Sequence, residues 1–167
     1  MAKKNNIVEF VEGKMNLEEA VEGKPRRIRV NDVIVADVIN GNGRRYPSDV
    51  IAKAVDEVRG HLHESAGQGR MMELLGEAEH PSDKAGRPNL LETIVKWDEI
   101  SFDGKSASLG GTILETSKGK DILVLMEGGV KPGVSLRGYG EAEVVKEGKQ
   151  RIEQVKELHL RGFDLVT

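Results

Sequence analysis

The sequence contains no cysteine. This absence excludes a disulfide framework, a thiol nucleophile and a metal site built on thiolates. Covalent or acid–base chemistry must therefore come from Ser, His, Asp, Glu, Lys or Arg side chains. A reducing compartment such as a cytoplasm is compatible with this composition.

Aromatic residues and long apolar runs are also scarce. One Trp, two Tyr and three Phe residues, with a formal net charge of -3, do not provide the basic face with stacking rings that favours nucleic-acid binding. The longest apolar run, Ile122–Met126, is far too short to cross a bilayer. Glu9 and Glu12 interrupt the apolar segment that a secretory signal peptide would need. We therefore expect neither a nucleic acid nor a membrane as a partner.

The length of 167 residues fits one domain with a buried core. Residues 1–25 are rich in Glu, Lys and Asn and end at Gly23-Lys24-Pro25, which is typical of a mobile arm or a propeptide-like segment. Residues 26–167 carry the periodic apolar patterns, and we interpret them as a single domain.

Strand patterns dominate this domain. β-branched residues predict a strand over 28–39, with an irregularity near Asn31-Asp32. The dipeptide Asp103-Gly104 predicts a hairpin turn. Further strands are predicted at about 71–79, 90–100, 105–114, 133–145 and 150–166, the last one broken near Arg161-Gly162.

Two segments have helical spacing. One helix is predicted at about 49–63, ended by the glycines between Ser65 and Arg70. A second is predicted at about 118–127, and its apolar residues cover so much of the circumference that we expect burial on several sides. The sum is an α+β domain with a strongly β core and two or three helices.

Two short motifs carry the residue types that a serine hydrolase needs. Gly76–Pro81 contains His80, which is fixed by the proline that follows it. Gly133–Gly140 contains Ser135 among glycines, which would let a substrate carbonyl come close. Because a serine hydroxyl needs a base to lose its proton at neutral pH, the two motifs together predict a nucleophile and its base.

A third group should orient the imidazole of the base. Asp164 is the first candidate, because it stands in an apolar run where a buried carboxylate without a partner is costly. His159 is the alternative and would make a Ser-His-His arrangement. Glu77 and Glu79 rank lower, because they point away from His80 or lie too close to it on the same strand.

Other chemical patterns are weaker. His61 and His63 would point about 200° apart on a helix, so we do not expect them to share a metal ion. The segment Gly41-Asn42-Gly43 lacks the lysine and the hydroxyl residue of a phosphate-binding loop, so we interpret it as a turn.

Four motifs in chain order resemble the prohead core protein protease of T-even-like tailed phages: Asn40–Pro47, Gly76–Pro81, Gly133–Gly140 and Phe163–Thr167. The resemblance covers about residues 28–167. It implies a serine endopeptidase of the capsid-assembly type, with a barrel-like, mostly antiparallel β core similar to that of the herpesvirus assemblins. It implies no cofactor and no metal ion.

The resemblance also assigns roles to residues. In the phage family the His of G-E-x-x-H-P is the base and the Ser of G-V-S-x-R-G is the nucleophile, which correspond here to His80 and Ser135. The assemblins use a second histidine in a late strand. That strand resembles the one that holds Asp164 here, so Asp164 is the inherited candidate for the third member and His159 the alternative.

The family cleaves scaffold and capsid proteins inside the immature shell. The resemblance therefore implies phage scaffold or core proteins and the major capsid protein as substrates, and a location inside the immature prohead in the host bacterial cytoplasm. Because assemblin-like proteases are regulated by dimerisation, it also implies a homo-oligomer as a further state of the chain.

Family members typically cleave after Glu, with an aliphatic residue two positions upstream and a small residue after it. A pocket for Glu requires positive charge, for which Arg44, Arg45 and Arg137 are candidates. We expect backbone N–H groups near Arg137-Gly138, or in a loop after Asp164, to hold the oxyanion.

The chain itself contains segments that fit this cleavage pattern. Leu17-Glu18-Glu19-Ala20 fits inside the predicted arm, which suggests self-cleavage between Glu19 and Ala20. Leu125-Met126-Glu127-Gly128 also fits, but its place in a predicted helix should protect it until the protein unfolds.

Two rival functions need no such cleavage. One is a non-catalytic capsid-assembly or scaffold module with the same fold, which would need no reactive serine. The other is a small-molecule hydrolase, although the missing G-x-S-x-G elbow argues against the α/β-hydrolase form of it.

Overall fold

The described part of the chain folds into one curled sheet with two α-helices. The computed structural model describes residues 3–11, 14–68, 74–79 and 88–167. The described residues are mostly in strands, and the sheet curls into a half-barrel. The predicted α+β class with a mostly antiparallel β core is confirmed.

Nine strands lie in the described ranges. They are β1 (Lys3–Val11), β2 (Lys14–Leu17), β3 (Arg27–Val35), β4 (Arg44–Arg45), β5 (Leu74–Glu77), β6 (Thr93–Phe102), β7 (Ser106–Ile113), β8 (Gly133–Glu147) and β9 (Gln150–Val166). Their order in the sheet is β1-β8-β9-β5-β6-β7-β3-β2, and β4 pairs with β9. The later strands confirm the predicted ones, although residues 71–73 of the strand predicted at 71–79 lie outside the described residues. β5 ends at Glu77, and a 3-10 turn lies just before β6.

The hairpin of β8 and β9 is the longest pairing in the sheet, and its register positions the candidate site. Ser135 lies opposite Asp164 in this antiparallel pair. The register shifts at Arg161, because neighbouring β8 residues lie opposite Leu160 and Gly162. This bulge confirms the predicted break near Arg161-Gly162.

The segment 1–25, for which a mobile arm or a propeptide-like segment was predicted, contains the strands β1 and β2. β1 pairs with β8 along its whole length. Ile7 and Val11 are buried, and Glu9 is buried between them. This spacing of two places one face of β1 in the core, and that core supplies the stabilisation that the polar composition of the segment did not suggest.

The first helix, α1 (Ser48–Gln68), packs on β9 and β6 and closes the core from one side. Ile51, Ala54 and Val55 are buried at helical spacing. The predicted helix at 49–63 is confirmed, but it continues to Gln68, past Ser65 and Gly67, while Gly69 and Arg70 lie outside the described residues. A single Gly costs only about 1 kcal/mol in a helix, so Gly67 need not stop it.

The second helix, α2 (Ser117–Glu127), begins after Thr116, whose side chain accepts a 3.0 Å hydrogen bond from the Gly119 amide. It packs on β6 and β7. Val124 is 67% exposed and Leu125 is 49% exposed. The expectation of burial on several sides was therefore wrong, because only Ile122, Leu123 and Met126 of the apolar run pack against the core.

Two predicted irregularities are confirmed. Gly104 has a φ of 96° in the hairpin turn, and the Asp103 carboxylate accepts the Lys105 and Ser106 amides at 2.8 Å. The strand irregularity is a bulge in β3, where Asp32 has a φ of 57°. In the described part of the chain, no helix is both long and apolar enough to span a bilayer.

Candidate active site

The predicted nucleophile Ser135 lies in β8 and contacts the backbone of β1. It is 2% exposed, and its Oγ donates a 3.1 Å hydrogen bond to the backbone carbonyl oxygen of Glu9. That carbonyl belongs to the peptide bond between Glu9 and Phe10. This contact is a hydrogen bond to the carbonyl oxygen, whereas nucleophilic attack would require Oγ to approach the carbonyl carbon. A peptide bond of the chain itself lies against the candidate nucleophile.

The predicted base His80 lies outside the described residues. The described part of its motif ends at Glu79, whose amide donates a 2.7 Å hydrogen bond to the Leu165 carbonyl. The Glu79 backbone has a φ of 62°, and the Thr167 hydroxyl donates to its carboxylate at 2.7 Å. These bonds hold Glu79, the residue before His80, against the end of β9. The same end of β9 contains Asp164.

Asp164 lies opposite Ser135 and is fully buried, at 0% exposure. Its Oδ1 accepts a 2.8 Å hydrogen bond from the Glu77 amide, and its Oδ2 accepts a 2.5 Å hydrogen bond from Arg137 Nε. Arg137 Nη2 donates a second 2.5 Å bond to the Glu77 carboxylate. We call Glu77, Arg137 and Asp164 the buried ion triad.

The buried ion triad holds three strands together. Burial lowers the pKa of Arg137, but hydrogen bonds and charge from Asp164 and Glu77 outweigh it and leave that pKa raised. The guanidinium is 1% exposed and bonded to both carboxylates. This position links β5, β8 and β9 and gives no support to the predicted role of Arg137 in a substrate pocket.

A glycine allows β5 to lie so close to β9. A Cβ atom on Gly76 would lie 1.9 Å from the backbone oxygen of Phe163, which no side chain could tolerate. The indole of Trp97 donates a 2.9 Å hydrogen bond to the same oxygen. Close packing of β5 against β9 therefore requires glycine at position 76, the first position of the His80 motif.

The side chain of Glu9 occupies a polar pocket in the segment between β3 and α1. Its Oε1 accepts hydrogen bonds from the side-chain amides of Asn40 at 2.5 Å and Asn42 at 2.7 Å. Its Oε2 accepts from Arg44 Nη1 at 2.7 Å and from the Tyr46 hydroxyl at 2.9 Å. We call Asn40, Asn42, Arg44 and Tyr46 the Glu9 pocket. All four belong to the first of the four motifs of the sequence.

The Glu9 pocket compensates for burying a carboxylate. The Glu9 side chain is 3% exposed, and such burial costs several kcal/mol unless the charge is paired and hydrogen-bonded. Burial lowers the pKa of Arg44, but the bond and charge of Glu9 outweigh it and leave that pKa raised. Burial, followed by the charge of Glu9, raises the pKa of Tyr46, which keeps its hydroxyl protonated as a donor. A cavity of about 510 Å³ adjoins the pocket.

The two arginines of β4 have different partners. Arg44 contacts Glu9, whereas Arg45 Nη2 lies 2.6 Å from the Gln154 side-chain oxygen and 2.7 Å from the Glu147 carboxylate. Of the three arginines predicted for a Glu pocket, the structure thus brings Arg44 to a glutamate beside Ser135.

His159, the alternative third member, lies elsewhere on β9. Its Nδ1 is 3.1 Å from the Glu57 carboxylate and its Nε2 is 3.2 Å from that of Glu157. It lies opposite Tyr139, so about 13 Å of strand separates it from the position opposite Ser135. The structure does not bring His159 and Ser135 together.

The remaining predicted residues are at some distance from Ser135. Gly138 lies opposite Ile7 of β1 and Leu160 of β9, about 10 Å along the strand from Ser135. Glu19 and Ala20 are exposed in the loop between β2 and β3.

Glu9 and its pocket were not predicted as a unit. The sequence does contain a signal for Glu9. In Ile7-Val8-Glu9 an aliphatic residue stands two positions before Glu, as in the cleavage pattern of the phage protease family that the motifs resemble. Phe10 departs from the small residue that should follow. Glu9 and Ser135 are far apart in the chain, and they come together because β1 pairs with β8. The sequence does not reveal this pairing.

Comparison with known proteins identifies the family of the chain. The family model described as prohead core protein serine protease matches residues 2–167. The chain belongs to this family. It is therefore a serine protease of the phage prohead core.

The structure of this prohead protease is similar to that of the bacteriophage T4 capsid assembly protease gp21. The two have a TM-score of 0.72 and 20% sequence identity, and the match covers 99% of each chain. At this identity the similarity shows a shared fold. A search of curated proteins gives no match.

Proposed function

We propose that this prohead protease cleaves scaffold and capsid proteins after Glu during prohead maturation, with Ser135 as its nucleophile. The observation that supports this best is the 3.1 Å contact between Ser135 Oγ and the Glu9 carbonyl. β1 lies along β8 in the extended form that proteases bind. The residue whose carbonyl faces the nucleophile is itself a glutamate.

The proposed chemistry is that of a serine protease. His80 accepts the proton of Ser135 Oγ, and the oxygen attacks the carbonyl carbon of the Glu residue. The C–N bond then breaks, the leaving amine takes the proton from His80, and an acyl-enzyme remains. Water, deprotonated by His80, hydrolyses that ester and restores Ser135. Backbone amides near Arg137-Gly138, or after Asp164, remain the proposed oxyanion donors.

Asp164 remains the proposed third member. A carboxylate can accept several hydrogen bonds, so the bonds from Arg137 and from the Glu77 amide do not exclude a bond from an imidazole N–H. The chain before His80 is bonded to Leu165, the neighbour of Asp164. This proximity favours Asp164 over His159, whose ring nitrogens lie beside Glu57 and Glu157.

Two peptide bonds of the chain are proposed as self-cleavage sites. The bond after Glu9 lies at Ser135 within the same molecule. The bond between Glu19 and Ala20 lies in an exposed loop that a second molecule could reach. Because Phe10 is larger than the preferred residue, we expect the bond after Glu9 to be cut more slowly than a Glu-Ala bond held in the same place.

A peptide with the sequence Leu-x-Glu-Ala tests the proposed function. The purified full-length protein should cleave it after Glu, and Ser135→Ala should abolish cleavage, since the proposed acyl-enzyme forms on the Ser135 oxygen. The measurement is product formation by mass spectrometry over time.

The thermal unfolding midpoint of Ser135→Ala serves as the control and should stay near that of the wild type. A serine-directed phosphonate should also add its mass to Ser135 in the wild type. Full activity of the variant would refute the assignment of Ser135. Absence of both cleavage and labelling would favour the non-catalytic assembly module.

A further inference from the structure

We infer that the Glu9 pocket is the specificity site of the enzyme: it binds the Glu side chain before the scissile bond of any substrate and rejects Gln. This inference rests on the proposed function, because it identifies Glu9 with the residue that a substrate places there. Glu9 presents its carbonyl to Ser135 and its carboxylate to the pocket. One residue thus engages both the nucleophile and the four donors.

The pocket matches the charge and the hydrogen-bonding pattern of a carboxylate. Among the described residues, the four groups bonded to the two oxygens all act as donors. A Gln side chain would turn its NH₂ group either toward the Asn40 amide, whose oxygen is held by the backbone amides of Asn42 and Arg44, or toward the Arg44 guanidinium, which can only donate. Buried donors would then face each other, and sites with unmatched polar groups discriminate strongly.

The pocket is held in shape by bonds that do not involve β1. The side-chain oxygen of Asn40 accepts the backbone amides of Asn42 at 2.9 Å and Arg44 at 3.1 Å. This leaves the Nδ2 donor of Asn40 directed at the carboxylate. The Gly43 carbonyl accepts the Glu153 amide of β9 at 2.9 Å. We therefore expect the pocket to keep its geometry when another chain replaces β1.

The alternative is that the pocket only anchors β1 to the protein. An anchor would affect the stability of β1 but not the choice of substrate. Substrate preference in a peptide supplied from outside therefore separates the two roles. Arg44 is the residue to change, since it supplies the positive charge.

The test compares two peptides, Leu-x-Glu-Ala and Leu-x-Gln-Ala, with full-length enzyme and an Arg44→Met variant. The wild type should prefer Glu by about 100-fold or more in kcat/KM. Arg44→Met should reduce kcat/KM for the Glu peptide by a similar factor and change that for the Gln peptide little. The Glu/Gln ratio should therefore fall toward one.

A matched control is Arg29→Met, which removes a half-exposed arginine that is 2.9 Å from Glu99 in a pair away from the pocket. It should keep the wild-type ratio. Tyr46→Phe removes one donor while keeping the ring, and should lower the ratio about 10-fold even if Arg44→Met does not fold.

The outcomes separate this inference from the proposed function. If the wild type cleaves both peptides equally, the Glu9 pocket is not the specificity site, while the proposed protease function stands. The same conclusion follows if folded Arg44→Met and Tyr46→Phe keep the wild-type Glu/Gln ratio. A wild type that cleaves neither peptide and is not labelled at Ser135 would overturn both.

Discussion

Arg137 is a charged side chain that water scarcely reaches, and it is the residue on which most of the site's geometry depends. It belongs to β8, two residues after Ser135, while its two carboxylate partners belong to β5 and β9. Removing one partner of a buried pair leaves a charge without compensation. The buried ion triad is therefore a set of positioning residues for the strands that carry the motifs.

The buried ion triad should contribute strongly to the stability of the fold. Arg137→Met should lower the free energy of unfolding by about 3–5 kcal/mol, because Glu77 and Asp164 would remain buried without their cation. The measurement is urea unfolding in a Ser135→Ala background, which prevents self-cleavage.

An exposed pair provides the control for that change. Arg27 bonds both oxygens of Asp98 at 2.9 Å, with each side chain about a third exposed, and Arg27→Met should cost no more than about 1 kcal/mol. If the loss in Arg137→Met were no larger than in Arg27→Met, the structural role of the triad would be contradicted.

Individual residues were predictable to different degrees. A carboxylate inside an apolar run marks Asp164 as a residue that needs a partner, and the late position of its strand suggests proximity to Ser135. The sequence does not indicate that the partner is Arg137, because a pairing across strands depends on their register. For the same reason Arg137 looked like a residue for binding substrate.

An ion pair between α1 and β9 should make the stability of the protein depend on pH. His159 of β9 lies beside Glu57 of α1, and this hydrogen bond, followed by that of Glu157, raises the pKa of His159 against the effect of burial. A histidine with a raised pKa stabilises the fold while it is protonated.

Because the pKa of His159 is raised in the folded protein, stability should fall as the pH rises. Stability from this pair should be fully present below the ordinary histidine pKa of about 6.5 and should be lost as the pH rises through the raised value. The measurement is the urea midpoint of Ser135→Ala across this range, compared with the same protein carrying His159→Gln.

Both proteins contain the other histidines, so the difference between the two profiles isolates His159. The decline should be small, because both side chains are more than a third exposed and water screens the pair. Identical profiles, or a difference that grows with rising pH, would contradict the assignment.

The type of each element was largely predictable, but the partners of the strands were not. Local spacing indicated α1, the hairpin turn at Asp103-Gly104 and the bulge at Arg161. The polar composition of residues 1–25 concealed β1, since only alternate positions face the core. α2 was misjudged because a short apolar run does not indicate how many sides are covered.

For the molecule as a whole, the sheet order explains why the site could not be assembled from the sequence. β1 is first in the chain and lies beside β8, so Glu9 reaches Ser135 across most of the sequence. The motifs identified the family, yet the Glu9 pocket depends on this distant pairing. The proposed substrate-like position of β1 therefore rests on the contact between Glu9 and the proposed nucleophile Ser135.

Intact-mass analysis of the full-length protein during incubation tests that description. The wild type should lose residues 1–9 and begin at Phe10, while Ser135→Ala should keep its mass. A separate loss of residues 1–19 in the wild type would show the second proposed site. If the wild type stays intact at the Glu9–Phe10 bond while it cleaves Leu-x-Glu-Ala, or if Ser135→Ala loses the same segment, the assignment of β1 as a bound substrate is contradicted.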